Sequence, residues 1–579
     1  MTLCLYHILR KRPRRDVIFL ALAFLMTASG LCYAAPPPPV TLPGSAEIDR
    51  LQDRLGPMPS APVEQAPQTD IAPLPELHAP PGAESIHFVL HNLIIDGATA
   101  YDAETLKTFY APYVDKDISL LTIYQIAGAI TQRYQQDGYV LARALIPQQE
   151  IENGTIHLQV VEGYVSDVQI ANGSIPNYIL ADLIERIKAM HPLHMPTLER
   201  MLLTLNDLSG IQLKTAMLPI TDGSAAPGAV MMQLSVQRTI AGGQFSIDDY
   251  GSRFIGPYQP TLALWANDQF LAFDKLSVRT LDSMPWHELH YGEIQYSVPL
   301  NADGTSVSIL YNRARSWPGY TLSQDEIVSD SDTIRGEVSQ AIVHSRDMQL
   351  SVTTGLEHKN ISTNLPETRL SLDRLTVATG SVHFTNMDNW EGANKIDATL
   401  RQGLDILGVR PTGSLDLSRG QGRSDFTSVN ATVSRLQTLE GPWQINLSAN
   451  GQYAWSPLLA SEQFGFGGQS FGRAYDPSEI TGDDGLAGSA ELRYNAIEWA
   501  DYNVNIIPFT FYDVGRVWNL DRSGVITSGA SAGGGFVITS ATGIQITLTS
   551  AKPLTRPQDN PLTGNGKSPR WLFQLIYAF

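Results

Sequence analysis

The sequence predicts a mainly β protein: a 16-stranded transmembrane β-barrel preceded by two small β-α-α-β-β domains. Three observations carry this. The last nine residues alternate, placing Trp571, Phe573, Leu575, Tyr577 and Phe579 on one face. On a water-facing sheet such a row invites aggregation, whereas on the last strand of an outer-membrane barrel it faces lipid. Residues 239–579 hold sixteen alternating segments punctuated by Gly, Asn, Asp and Pro. Residues 84–238 repeat one order of elements twice.

Taken in chain order, residues 1–35 read as a signal peptide. Arg10, Lys11, Arg12, Arg14 and Arg15 precede the apolar run Val17 to Tyr33, and small residues around Ala34 and Ala35 offer a cleavage site. A bulky Leu31 before Cys32 makes this a poor lipidation site. Both cysteines, Cys4 and Cys32, fall in this leader, so a mature chain has no disulfide framework and no cysteine metal site. The formal charge of −18 becomes about −22 once the leader is removed. No Lys/Arg run lies outside the leader, which argues against a nucleic-acid partner.

Residues 36–83 are Pro-rich and read as an extended, polyproline-like linker. Within it, residues 46–55 place Ile48, Leu51 and Leu55 on one helical face. So short a helix needs a surface to lie on, and a barrel lumen would supply one, making it a plug. Residues 84–163 form the first domain: a strand over 86–95, helices over 103–110 and 121–137, and strands over 139–147 and 155–162. Residues 164–238 form the second: strand 165–171, helices 176–190 and 196–208, strands 211–219 and 229–238.

The barrel segment has tight joins at 301–304 and 345–347 alternating with longer connections, the longest at 456–484. Short turns face the periplasm and long loops the outside. Trp265, Trp286, Trp390, Trp443, Trp455, Trp518 and Trp571 lie near strand ends and read as interface girdle residues.

Signals for chemistry are weak. Gly468-Gln469-Ser470-Phe471-Gly472 matches a hydrolase elbow in letters but lies in a loop, without the strand-to-helix context that activates the serine. His87 and His91, and His191 and His194, lack a third ligand nearby, so surface histidines are the expectation. No cofactor, metal or enzymatic activity is expected. A different pair stands out. Phe509, Phe511, Asp513 and Gly515 share one side of a strand, and an Asp on that side makes it the lumen face. Arg473 lies in the Gly-rich 456–484 loop, which is supple enough to fold inward and set Arg473 against Asp513 as a latch.

Two tandem β-α-α-β-β units ahead of such a barrel resemble the POTRA domains and barrel of the TpsB outer-membrane transporters. This is the haemolysin-activator and filamentous-haemagglutinin-transporter family of two-partner secretion. The stretch Phe471-Gly472-Arg473-Ala474-Tyr475-Asp476 is similar to the family's Val-Arg-Gly-Tyr/Phe loop motif, and Phe511-Tyr512-Asp513-Val514-Gly515 to its Phe-x-Asp-x-Gly barrel-wall motif. Asp248-Asp249-Tyr250-Gly251 and Tyr296-Ser297-Val298-Pro299-Leu300 are further family-like stretches. The chain departs at Gly472 and Ala474, where the family has Val and Gly; Ala tolerates a positive φ less well than Gly, so the loop tip is expected to turn differently.

The resemblance implies an outer-membrane transporter whose POTRA domains recognise a secreted exoprotein and pass it as an extended chain through the pore. It further implies contact with outer-membrane lipid and lipopolysaccharide. Handling by the barrel-assembly machinery follows too, with Trp571, Phe573, Tyr577 and Phe579 as the C-terminal assembly signal. An assembly insertase of the same superfamily is the alternative, although insertases carry more POTRA units than two. The sequence does not identify the passenger.

Overall fold

The computed structural model describes residues 42–579 apart from 49, 57–68, 72–76, 172–177, 221–225, 500–502 and 521–524. The leader and most of the Pro-rich linker lie outside the described residues. Two parts of the linker are described. A 3₁₀ turn at Gly44–Ala46 is followed by a helix α1 (Leu51–Leu55), shorter than the span the periodicity predicts. The strand β1 (Thr69–Ile71) replaces the polyproline-like reading there.

The first domain contains β2 (His87–Leu90), β3 (Asn92–Asp96), α2 (Ala103–Lys107), β4 (Lys116–Ser119), α3 (Leu120–Gln136), β5 (Arg143–Leu145) and β6 (Thr155–Val161). The single strand expected over 86–95 is two. The chain breaks at His91, whose amide donates to Gly154 O at 2.9 Å. Its first half pairs with β4, an element the sequence pattern leaves unmarked, and its second half pairs parallel to β6. The strand expected over 139–147 shrinks to β5. Caps fix the helix starts: Asp102 accepts from the Thr105 amide at 2.8 Å, and Ser119 from the Thr122 amide at 3.4 Å. The apolar stripe of α3 (Ile123, Ile126, Ala127, Ile130, Tyr134) packs on Leu93, Ile156, Leu158 and Val160.

The second domain has the β-α-α-β-β order without the extra strands, in β7 (Tyr164–Ile170), α4 (Tyr178–Ala189), α5 (Met195–Asn206), β8 (Ile211–Pro219) and β9 (Ala229–Arg238). Its sheet runs β1-β8-β9-β7, with the linker strand added parallel to β8 at one edge. This domain rests on two short turns of the barrel. Arg186 pairs with Asp303 at 2.8 Å, Asp207 with His344 at 3.3 Å and Glu199 with Arg346, while Tyr178 Oη donates to Leu300 O at 3.2 Å.

From Ala241–Asp248 to Arg570–Ala578 the chain forms a closed barrel in which sequence neighbours pair antiparallel. Asp484–Tyr494 and Ile497–Trp499 both pair with Val504–Trp518, so they act as one interrupted strand and the barrel has sixteen. Closure runs from Gln244↔Ala578 to Asp248↔Gln574, and Gly243 and Phe579 exchange both backbone hydrogen bonds at 2.9 Å. Alternation sets the two faces. On Thr305–Ser316, Ile309 and Tyr311 are exposed, whereas Leu310, Asn312 and Ala314 are buried. Outward Leu264, Ile334, Val338, Val382, Leu447, Phe536 and Leu548 belong to an exposed apolar band that suits lipid rather than water. Among the described residues no helix is long and apolar enough to cross a membrane.

Trp286, Trp390, Trp443, Trp455 and Trp571 are exposed. Trp265 is not a girdle residue: it is buried, its indole stacked where a Cβ on Gly242 would fall 2.6 Å away. At the C-terminus, Trp571, Tyr577 and Phe579 are exposed and Phe573 is half-buried, while Leu572 packs inside.

Candidate functional site: the occluded lumen

Two elements fill the lumen. The first is the linker segment 42–55. Ala46, Ile48 and Leu51 are buried against Phe254, Ile255, Leu281, Leu289 and Tyr291 of the wall and its loops. Polar contacts fix both ends. Ser252 Oγ donates to Ser45 O at 2.5 Å, Arg54 donates to Gln259, and Arg279 donates to the carbonyls of Leu55 (3.3 Å) and Gly56 (3.1 Å), satisfying the open end of α1. Arg279 is itself held by Glu293 at 2.9 and 3.1 Å. The segment also touches the long loop. Arg50 donates to Ala460 O, and a Cβ on Gly44 would lie 2.4 Å from Ser478 O.

The second element is the loop after Trp443–Ala454. It folds back into the barrel and is pinned to the wall by charge. The Arg473 guanidinium meets Asp513 through Nη2 (3.0 Å to Oδ1) and Nε (3.1 Å to Oδ2). The amides of Gly472 (3.2 Å) and Arg473 (3.1 Å) donate to the same Oδ2. Ser489 Oγ (2.8 Å) and Ser531 Oγ (3.3 Å) complete the shell around a carboxylate that is 0% exposed. Arg473 further pairs with Glu491 and lies over the Phe511 ring, 3.6 Å from its centroid. Glu491 and Ser489 escape a motif search, although both sit on the inward alternation of the neighbouring strand.

Each remaining motif residue has a physical part. Tyr475 is fully buried and donates to Ala530 O at 3.0 Å. Phe471 packs at the margin of a cluster formed by Phe464, Phe466, Tyr475 and Val517. Gly515 is required because a Cβ there would meet the Phe466 ring at 2.2 Å. The departure at the loop tip is resolved in its backbone. The left-handed conformation falls on Gly472 (φ 81°), not on Ala474, and Ala474 is buried beside Phe509 and Phe511.

Two more residues anchor the loop, and the first lies outside the motif. Glu462 is held by Lys359 (3.0 Å) and Arg401 (2.8 Å), with Glu357 bridging the same cations at 2.9 and 3.0 Å and pairing with Arg335. Asp476 is held by Arg570 at 2.9 Å and Gln558 at 2.9 Å. The loop is thus tied to the wall strands Met348–Asn364, Gly392–Gly403, Val504–Trp518 and Arg570–Ala578, more than half of the circumference. Beyond α1 the lumen opens into a cavity of about 450 Å³ lined by Gln295, Thr353, Thr379, Ser381 and Thr399, together with Arg279, Glu293, Arg335 and Arg401.

The other candidates do different work. Ser470 is exposed in a turn with no helix after it. His87 and His91 face Asp117 (3.7 Å) and Asp115 (2.9 Å), His191 stacks on Tyr164 (3.9 Å), and His194 bonds Thr197 (2.7 Å).

A barrel closed by an Arg-bearing inward loop and a linker helix, with two domains at its short-turn end, can be set beside known proteins. The family model "Haemolysin secretion/activation protein ShlB/FhaC/HecB" matches residues 230–536, and an ShlB-type POTRA domain matches residues 88–163. The chain belongs to this family. It is an outer-membrane transporter of the two-partner secretion type, with its POTRA domains in the periplasm. It is similar to the "Outer membrane transporter CdiB" of Escherichia coli O6:K15:H31, 23% identical over 519 residues covering 86% of this chain and 83% of the relative. It is also similar to the "Heme/hemopexin transporter protein HuxB" of Haemophilus influenzae, 22% identical over 488 residues covering 79% and 81%. Among solved structures, CdiB from Escherichia coli shares the fold with a TM-score of 0.70 at 20% identity, over 87% of this chain and 93% of that one.

Proposed function

We propose that the transporter exports one exoprotein as an extended chain through the barrel lumen, after its POTRA domains have bound it in the periplasm. In this reading segment 42–55 and the loop 456–484 close the resting pore, and Arg473–Asp513 is the latch that holds the loop. The observation that carries this is the lumen itself: a polar cavity ringed by Ser, Thr, Gln and paired charges, closed above by elements joined to the wall by hydrogen bonds and ion pairs. Such a lining exchanges hydrogen bonds with a passing backbone, and Leu310 is the large apolar side chain in it. The names of relatives describe haem/hemopexin and haemolysin transport for those proteins; the cargo here is a protein of the same broad kind. The exposed apolar band contacts lipid and lipopolysaccharide, and the strand ending in Trp571, Phe573, Tyr577 and Phe579 is what the barrel-assembly machinery engages during biogenesis.

Deleting the gene and comparing culture supernatant with outer membrane tests this. Loss of one exoprotein, restored by complementation, is expected. Broad loss of other barrels, with an unchanged supernatant, would mean an assembly insertase instead.

A further inference from the structure

The linker segment, the inward loop and the wall meet at a second cavity, of about 470 Å³. Among the described residues its lining carries five cations, Arg50, Arg54, Arg335, Lys359 and Arg401, against two carboxylates, Glu47 and Glu462. The three wall cations are matched: Lys359 and Arg401 share Glu357 and Glu462, and Arg335 pairs with Glu357. The two on the linker segment are matched less fully. Arg50, only 8% exposed, donates through Nη2 to Ala460 O and sets Nε 3.3 Å from Glu47, and Arg54 donates through Nη2 to Gln259. Nη1 of each is buried and meets no protein acceptor. Ser461 Oγ, one residue beyond the carbonyl that holds Arg50, is likewise buried without a partner. Buried donors without acceptors are costly. The Arg54 amide donates to Arg50 O at 3.2 Å, so the two arginines stand one helical turn apart on one face, where like charges repel. Gly465 lets the loop close over them, since a Cβ there would fall 3.2 Å from Arg50 Nη1.

We propose that this junction binds a tetrahedral oxyanion of the phosphate or sulfate class, gripped by Arg50 and Arg54 with Ser461 as a further donor, and that the bound anion holds segment 42–55 in place. The hold on the segment rests on the closed-pore reading above; the anion site itself does not. A guanidinium meets such an anion through two parallel hydrogen bonds, and a multiply charged tetrahedral centre has oxygens enough for two guanidinium groups and a hydroxyl together. Chloride lacks that geometry. The donors come from the linker segment and the loop, and Arg335, Lys359 and Arg401 add their field from the wall. The site is therefore complete only while segment and loop both lie in the lumen. A ligand that binds one state of an equilibrium shifts it toward that state, so the anion favours closure and withdrawal of the segment releases it.

The test uses the full-length transporter purified in detergent, with inorganic phosphate as the probe and chloride at equal ionic strength as the reference. Ser45→Cys and Ser252→Cys, at residues already in contact at 2.5 Å, are joined by a short thiol crosslinker that keeps the segment seated; the only native cysteines lie in the leader. Calorimetry on this crosslinked chain is expected to show saturable phosphate binding. Adding Arg50→Gln and Arg54→Gln to it should weaken that binding about tenfold or more, with the segment still seated. Arg516→Gln, which removes a cation lying over Trp518 and outside the cavity, should leave it unchanged. In planar bilayers, without the crosslink, phosphate should lengthen closed times about fivefold or more relative to chloride. Equal binding with and without the two arginines, or none by the crosslinked parent, overturns the proposal, and so does binding that leaves closed times unchanged in a channel that the crosslink shuts. If crosslinked and free channels conduct alike, the closed-pore reading fails instead, and calorimetry still decides the anion site.

Discussion

Asp513 binds Arg473 twice over: its carboxylate takes the guanidinium through two nitrogens and the loop backbone through the amides of Gly472 and Arg473. The contact therefore fixes the loop's path as well as its charge. Removing one member of a buried pair strands the other, at a cost of about 3–5 kcal/mol.

Arg473→Ala is expected to raise single-channel conductance in planar bilayers and lower exoprotein export while the barrel still reaches the membrane. Arg473→Lys should restore little of the loss. An ammonium cannot span Asp513, Glu491 and Ser489 at once or lie flat on Phe511. Full export by the lysine variant would mean that charge alone holds the loop.

Glu462→Gln removes the charge from the second anchor while keeping its shape. A charge-assisted hydrogen bond contributes about 1.5–3 kcal/mol, so a smaller leak than that of Arg473→Ala is expected. Combining the two should leave the pore open for most of the recording. A combined variant that gates like wild type would show that neither anchor limits loop movement.

Gly515→Val drives a side chain into the Phe466 ring. It should reproduce the leak of Arg473→Ala without touching a charge, and Phe466→Ala in the same chain should relieve the clash. An unrelieved defect would point to damage in the barrel wall itself.

In the first POTRA domain, burial pushes the Glu162 carboxyl up. The Thr99 hydroxyl, the amides of Ala100 (2.9 Å) and Thr99 (2.7 Å) and the Tyr134 hydroxyl (2.7 Å) outweigh this and hold it below its usual 4.5. A depressed carboxyl contributes stability that is present above pH 4.5 and lost as pH falls through the folded-state value. The domain's thermal midpoint is expected to drop on acidification below that point, and Glu162→Gln should flatten the dependence. An identical acid slope in both would assign it to other groups.

The period-two rule made the inward set Phe509, Phe511 and Asp513 readable, because a charge on one face of a membrane strand decides which face is wet. The β-α-α-β-β order was readable from the helical period of about 3.6 as well, because α3, α4 and α5 carry clear apolar stripes. What escaped depends on contacts made across the lumen. Glu462, Lys359 and Arg401 are distant in sequence and match no spacing, so only closure of the barrel reveals them as partners. The break at His91 and the strand Lys116–Ser119 are set by tertiary pairing, which overrides a continuous alternating pattern. Trp265 shows the limit of reading aromatics by position, since the missing side chain at Gly242 lets it turn inward.

The most direct test of the whole account is photo-crosslinking during stalled export, with the probe at lumen positions Thr353 and Ser381 and at the lipid-facing neighbours Val352 and Val382. The account predicts capture of the exoprotein from Thr353 and Ser381 and not from Val352 or Val382. Capture from the lipid-facing pair, or from none of the four while export proceeds, would contradict passage through the barrel.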